Sequence, residues 1–294
     1  MPELPEVETI VRALRPTLVG KTILSADVLW ARTLATPSPS AFVKRIKGQQ
    51  IETISRRAKF FNLQLSTLRE PHLCLPVLAA RPGRHWRRQG KPFNLLIHLR
   101  MSGDLLVKEG AYTPEKHNRL VLTLSDDLSL VFNDPRKFGR VWLTANPDEV
   151  LGDLGPEPLD PSFTPQAFYE RLHGRRRQLK TLLLDQTFIA GLGNIYTDEA
   201  LHMARLHPLA QSDSVTPERA EGLWRAVRAV LEEGIRSNGA SIDWVYRGGE
   251  FQNHFRVYGR DGEPCPVCGT KVERVVIGQR GTHFCPRCQP LKGD

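Results

Sequence analysis

The chain has 294 residues, 40% of them apolar and 25% charged, an ordinary globular composition with room for two domains. Lys and Arg number 41 against 32 Asp and Glu, giving a formal charge of +9; such an excess favours a polyanionic partner, either nucleic acid or an acidic membrane surface. The N-terminal stretch lacks the basic start and apolar core of a secretory signal, and no apolar run approaches the roughly 20 residues of a membrane span. Secreted and membrane-spanning classes are therefore excluded, and a cytoplasmic setting is expected.

The chain opens Met1-Pro2-Glu3-Leu4-Pro5-Glu6-Val7-Glu8. A proline at the second position permits removal of the initiating methionine, which would leave the secondary amine of Pro2 as the first atom, with Glu3 beside it. An α-amino group titrates near roughly pH 8, against about 10.4 for lysine, so much more of it is neutral and nucleophilic at pH 7. Such an amine can attack a sugar carbon and form a Schiff base. Taken alone, the same residues also read as an ordinary helix start: Glu6 and Glu8 suit a first turn, and Pro5 is tolerated there. Val7, Ile10, Val11, Leu14 and Leu18 then recur at helical spacing as a buried stripe.

Residues up to about 145 read as mostly β. Ile51 to Leu65 and Asn94 to Met101 are strand candidates. Leu120 to Leu124, the turn Ser125-Asp126-Asp127 and Leu128 to Phe132 form an expected hairpin. Many short strands behind one amphipathic helix predict a β-sandwich with a helix attached. Between strands, residues 69–93 carry six basic side chains among prolines and glycines and read as a long basic loop. The lone Cys74 within Leu73-Cys74-Leu75 is most simply a small apolar residue.

Prolines cluster in a linker at 147–164, after which the period becomes helical. Thr164 and Thr216, each followed by proline, have the form of an N-cap with a first-turn Pro. The helix after Thr216 should bury Ala220, Leu223, Val227, Leu231 and Ile235. Gly191-Leu192-Gly193-Asn194 precedes another helical stretch, where Asn194 can cap the helix, bond a phosphate, or both. Upstream, Arg175, Arg176, Arg177 and Lys180 form a charge run that by itself describes a solvated face.

Cys265-x-x-Cys268 and Cys285-x-x-Cys288 have the spacing of a four-thiolate Zn²⁺ site, closed and therefore structural. Gln279-Arg280-Gly281 lies where the hairpin between the pairs should turn. Arg280 there is a basic turn residue or a guanidinium aimed at phosphate. Asp134-Pro135-Arg136-Lys137-Phe138-Gly139 and His98-Leu99-Arg100-Met101-Ser102-Gly103 are turns whose apolar residues belong to the core, or to a wedge of the kind that enters deformed DNA.

Together these pieces resemble the bacterial formamidopyrimidine-DNA glycosylases (Fpg, or MutM). The resemblance rests on the opening Pro2 to Glu8, Arg57-Ala58-Lys59-Phe60, His98 to Gly103, Asp134 to Gly139, Gly191 to Tyr196, Val257-Tyr258-Gly259-Arg260 and the cysteine pairs, all in register. It implies an α+β, two-domain fold: an N-terminal helix plus β-sandwich (1–146), the linker, then a helix–two-turn–helix domain (165–250) and a zinc-bound β-hairpin (256–290). It implies excision of 8-oxoguanine and formamidopyrimidines from duplex DNA, followed by β,δ-elimination. Pro2 would be the nucleophile and Glu3 the proton donor, with Lys59 and Arg280 assisting the two eliminations. Met101, Arg136 and Phe138 would fill the gap left by the flipped nucleotide, Arg136 facing the orphaned cytosine. His117, Arg136, Arg176, Lys180 and Asn194 would hold DNA. One structural Zn²⁺, damaged double-stranded DNA as partner, no membrane or obligate protein partner, and a monomer associated with the nucleoid through DNA complete the expectation.

Three features depart from the family pattern. Residues 69–93 are an insertion, Lys137 stands where arginine is commoner, and Ser241 to Phe255 matches poorly where the family has a lesion-covering loop. Two other readings compete. An endonuclease VIII-like enzyme shares the Pro-Glu start and the finger, but the Leu4-to-Glu8 opening and the Arg136/Phe138 pairing favour the Fpg branch. A zinc-dependent DNA-binding protein leaves Pro2, Glu3 and Lys59 without a reason to occur together.

Overall fold

The computed structural model describes residues 2–67, 92–241 and 248–291. The basic segment up to residue 91, Cys74 and residues 242–247 of the divergent stretch lie outside the described residues. In chain order the elements are α1 (Leu4–Leu18), β1 (Ile23–Val28), β2 (Leu34–Thr36), α2 (Pro39–Ile46), β3 (Gln49–Arg57), β4 (Phe60–Thr67), β5 (Phe93–His98), β6 (Asp104–Glu109), β7 (Asn118–Leu124), β8 (Leu128–Asn133) and β9 (Arg140–Thr144). After these come α3 (Asp148–Leu151), α4 (Pro165–His173), α5 (Leu179–Leu183), α6 (Asn194–Met203), α7 (Pro217–Arg236), β10 (Glu273–Ile277) and β11 (Arg280–Phe284). No helix among the described residues is long and apolar enough to cross a membrane.

The chain forms two compact units. One comprises residues 10–56 and 60–149, the other residues 1–9, 57–59 and 150–294. The first holds two sheets, ordered β1-β7-β8-β6 and β2-β9-β5-β4-β3. The expected hairpin is β7/β8, antiparallel with Leu122 opposite Leu130. Asp126 and Asp127 both have positive φ, 59° and 52°, within the three-residue turn 125–127 that joins the strands. Both faces of β7 and β8 are largely buried, since these strands lie inside their sheet and the pattern is apolar on both sides. The stretch Ile51 to Leu65 is two strands rather than one, β3 and β4. They are separated by a turn at Ala58, whose φ is +52°. Ala58 N–H is accepted by Glu157 Oε1, which also takes Arg57 Nη1 at 3.1 Å. The turn, residues 57–59, is part of the second unit and carries Lys59.

The second unit is helical. Thr164 Oγ1 accepts Ala167 N–H at 3.2 Å, and Thr216 Oγ1 accepts Arg219 N–H at 3.4 Å. These are the two caps expected at the starts of α4 and α7. Ala220, Leu223, Val227 and Leu231 of α7 are buried as expected, while Ile235 is partly buried at the edge of the cluster. Leu4 is fully buried in the same cluster, with Phe168, Phe188, Leu192, Tyr196 and Phe251. Burying a leucine contributes about 1.5–3 kcal/mol, so Leu4 anchors the residues just before it.

The finger hairpin turns one position earlier than expected. Gly278 and Gln279, at φ +55° and +63°, make the turn, and Arg280 begins β11 opposite Ile277. Among the described residues its own buried apolar cluster is Val257, Cys265, Val272 and Cys285, with Cys268 and Cys288 packed against it. That is too little to hold a fold without a staple.

Candidate active site

Glu3 is built into the N-terminus of α6. Leu4 N–H donates to Gly191 O at 3.1 Å, and Glu3 Oε1 accepts Ile195 N–H at 3.0 Å. A carboxylate there satisfies an otherwise orphaned helix donor. Gly193 precedes the helix, and a Cβ on it would lie 2.3 Å from Glu3 Cδ. Only glycine permits this approach. Glu3 is 2% exposed, and its Oε2 has no hydrogen-bond partner among the described residues. Burial raises its pKa above the usual carboxylate range; the nearby Lys59 ammonium pulls the other way, and Glu6 adds to the rise.

Pro2 is buried beside Glu3. Lys59 is buried, and its Nζ donates to Leu192 O at 2.6 Å. The same carbonyl accepts Gln186 Nε2 at 2.8 Å, while Gln186 Oε1 takes Gly191 N–H at 2.9 Å. Gln186 therefore sets the loop that meets both Glu3 and Lys59. Glu6 is a support that the first-turn reading missed. It accepts Glu3 N–H at 2.7 Å, Tyr196 Oη–H at 2.7 Å and Ala240 N–H at 2.8 Å. Helical periodicity marks Glu6 as a surface acid; its partners lie roughly 190 and 234 residues away in the chain, beyond any local spacing rule.

The remaining candidates of this unit lie along α6 and the finger. Asn194 Nδ2 donates to Gly281 O at 2.8 Å, so the side chain fastens the finger and does not cap the helix. Arg280 is exposed at the start of β11. Arg176 is exposed, 3.7 Å from Asp213. Lys180, in contrast, is 0% exposed, with Nζ 2.6 Å from Asp198 Oδ1 and 3.2 Å from Asn194 O. Asp198 Oδ2 in turn accepts His283 N–H at 2.9 Å. The charge run read as one solvated face therefore divides. Arg176 and Arg177 are exposed, Arg175 is half-buried, and both Arg175 and Arg177 face Asp185; the lysine is an internal tie with no surface to offer a phosphate in this conformation. Glu199, also buried, accepts the backbone N–H groups of Arg256, Val257 and Tyr258 at 2.9 Å each. That contact accounts for the Val257-Tyr258 motif.

In the first unit, Met101, Arg136, Phe138 and His117 are all exposed. Phe138 is 49% exposed, so the core reading of this aromatic fails. A buried network displays them. Asp134 accepts Ser102 Oγ–H at 2.5 Å and Gly139 N–H at 2.7 Å, and Arg119 Nε donates to Asp134 O at 2.7 Å. The guanidinium of Arg136 lies 5.2 Å from the Phe138 ring centroid, and Lys137 Nζ sits 4.0 Å over Trp30. The sequence marks Asp134 only as the start of a turn and gives no sign of Arg119, since the charge of neither shows that it is buried.

The four cysteine sulfurs Cys265, Cys268, Cys285 and Cys288 lie within 4.8 Å of one another. A tetrahedral Zn²⁺ with bonds of about 2.3 Å separates its sulfurs by about 3.8 Å. Cys265 and Cys288 are 3.9 Å apart, and Cys268 and Cys285 3.5 Å. The cradle fits one closed, structural zinc.

Three family models match: the formamidopyrimidine-DNA glycosylase N-terminal domain over residues 1–141, its H2TH domain over 154–245, and the zinc finger found in FPG and IleRS over 262–291. The chain belongs to the formamidopyrimidine-DNA glycosylase family. The Chloroflexus aurantiacus member of the family is 46% identical, covering 98% of each chain, and that of Bacillus cereus is 36% identical over 99% of each. A Lactococcus lactis Fpg in complex with Fapy-dG-containing DNA superposes with a TM-score of 0.85 at 32% identity, covering 98% of this chain and 100% of the other. A MutM in complex with carbocyclic 8-oxo-G-containing DNA gives 0.85 at 34%, over 99% and 100%. As a family member, the chain is a base-excision-repair DNA glycosylase with AP lyase activity.

Proposed function

We propose that this Fpg-family chain removes 8-oxoguanine and formamidopyrimidines from duplex DNA through a Schiff base on Pro2, and then cuts the strand by β,δ-elimination. The observation that carries the reading is Glu3: a buried carboxyl whose pKa burial raises, with one oxygen capping α6 and the other without a hydrogen-bond partner among the described residues. A carboxyl whose pKa is raised in this way is suited to act as a general acid. Damaged DNA in the structural neighbours supports the substrate class.

The prolyl nitrogen attacks C1′ of the flipped nucleotide, the bond from C1′ to the base breaks, and Glu3 supplies a proton for base release. Flipping costs a few kcal/mol, and insertion of Met101, Arg136 and Phe138 offsets part of that cost. The prolyl nitrogen then gives up its proton, the C1′–O4′ bond breaks with a proton going to O4′, and the opened sugar is left as an iminium whose positive charge is fixed, because that nitrogen has no further proton to lose. That charge acidifies the C2′ hydrogen, so the 3′ and then the 5′ phosphate leave by elimination. Lys59 assists the first step and Arg280 the second. His117, Arg136, Arg176 and Asn194 contact the DNA strands, while Lys180 serves that surface from beneath by fixing Asn194 and the finger. Cys265, Cys268, Cys285 and Cys288 hold a zinc whose role is to fold the hairpin.

The reading extends to a monomer acting on nucleoid DNA in the cytoplasm. Its domains are a catalytic domain at 1–146, a linker at 147–164, a helical DNA-binding domain at 165–250 and a finger at 256–290. Borohydride trapping on duplexes with 8-oxoguanine opposite cytosine, or with dihydrouracil, tests it. Strongest trapping with 8-oxoguanine, absent in Pro2→Gly, supports it. Preference for dihydrouracil indicates an endonuclease VIII-like specificity, and no adduct with either lesion overturns the lyase reading.

A further inference from the structure

The finger is fastened to one face of α6 and the turn after it. Asn194 holds Gly281, Asp198 holds His283, Glu199 holds residues 256–258, and Leu206 O accepts Gln289 Nε2 at 2.8 Å. His202 stands in this series, and its partner is a metal ligand: Nε2 lies 3.4 Å from Cys265 Sγ. The ring is 2% exposed, and its Nδ1 has no hydrogen-bond partner among the described residues. Among the described residues the sulfur is therefore the one polar contact of this buried imidazole. A zinc-bound cysteine is a thiolate and can only accept, so Nε2 must carry the proton. Cys285 Sγ receives a comparable donor from within the finger, Cys288 N–H at 3.4 Å. Cys265 receives its donor from a helix of the neighbouring domain.

We propose that His202 is a positioning residue for the zinc centre: its Nε2–H donates to the Cys265 thiolate, tempers that sulfur's charge and locks the metal site to α6. A donor on a thiolate lowers its basicity and nucleophilicity, so the zinc–sulfur bond becomes harder to break by protonation or by a competing ligand. Outer-shell donors of this kind commonly change metal affinity by about 10–100-fold. The contact also joins the finger that carries Arg280 to the helix whose first turn holds Glu3.

The test uses zinc-loaded full-length protein and the rate of zinc transfer to a chromogenic chelator. His202→Phe, which keeps the ring's bulk, should release zinc about ten-fold or more faster than wild type. His202→Gln, whose amide can still donate, should restore slow release. In the cobalt-substituted proteins, the thiolate-to-cobalt charge-transfer band should move to longer wavelength in His202→Phe and stay in place in His202→Gln, a change that loss of packing alone does not produce. A measurement on wild type needs no variant: the imidazole ¹⁵N shifts of the zinc protein should show a proton on Nε2. A ring protonated only on Nδ1, or wild-type zinc release and cobalt spectrum in His202→Phe, would overturn the proposal.

Discussion

Glu3 Oε1 accepts the amide proton of Ile195 at 3.0 Å, while Oε2 meets no hydrogen-bond partner among the described residues. One carboxyl thus does two jobs: one oxygen completes a helix and the other is left for chemistry. Glu3→Gln keeps the shape and removes the acid. It should slow release of 8-oxoguanine by about 10²–10⁴-fold in single-turnover assays, with a smaller effect on cutting of a preformed abasic site. Equal losses on both substrates would argue against Glu3 as the proton donor.

The raised pKa has a sign that can be checked. The acid form of Glu3 survives above the ordinary value of 4.5 and disappears as pH rises through the folded pKa, so base release should decline on that limb. The stability linked to Glu3 follows the same course: it is present below the unfolded pKa and is lost as pH rises through the folded one. Glu3→Gln cannot ionise. Its Tm should therefore improve relative to wild type as pH rises above the ordinary value of 4.5, and a difference in Tm that does not change with pH would contradict a raised Glu3.

Gly193→Ala should be nearly as damaging as losing the acid itself. The new Cβ would lie 2.3 Å from Glu3 Cδ, and displacement of a reacting group by about 1 Å can cost about 10²-fold. Expected are loss of excision with zinc content and affinity for undamaged DNA preserved. Normal excision would mean that the position of Glu3 is not set here.

Lys180 and Asp198 are both 0% exposed and 2.6 Å apart. Burial lowers the lysine pKa while Asp198 opposes the shift. Removing one partner of a buried pair typically costs about 3–5 kcal/mol. Lys180→Met should lower the denaturation midpoint strongly and loosen the finger, which Asp198 holds through His283. A wild-type midpoint combined with weaker, less salt-dependent DNA binding would instead mark Lys180 as a phosphate ligand.

Phe138 and Asp134 should separate display from support. Phe138→Ala removes an exposed ring, so stability should change by about 0.5 kcal/mol or less, while binding to lesion-containing duplex weakens. Asp134→Ala breaks the contacts to Ser102 and Gly139 and should lower both. Equal thermal stability of the two variants, read by calorimetry, would refute the division.

Much of this was legible in the sequence because it is local. Caps at Thr164 and Thr216, the α1 stripe, the β7/β8 hairpin and the cysteine pairs each depend on spacings of a few residues. The resemblance supplied Pro2, Glu3, Lys59 and Arg280, since motifs in register carry chemistry that periodicity does not. What stayed hidden is long-range. Glu6 looks like a first-turn acid until Tyr196 and Ala240 arrive, and Lys180 looks like one cation in a solvated run until Asp198 encloses it. The turn at Ala58 was also missed, because apolar residues continue through it and only a positive φ marks the break.

The most direct measurement reduces the enzyme–DNA intermediate with borohydride, digests it and locates the adduct by mass spectrometry. A deoxyribose remnant should sit on the imino nitrogen of Pro2, in protein lacking Met1. Attachment to Lys59 or another lysine, or full activity in protein that retains Met1, would contradict a proline nucleophile.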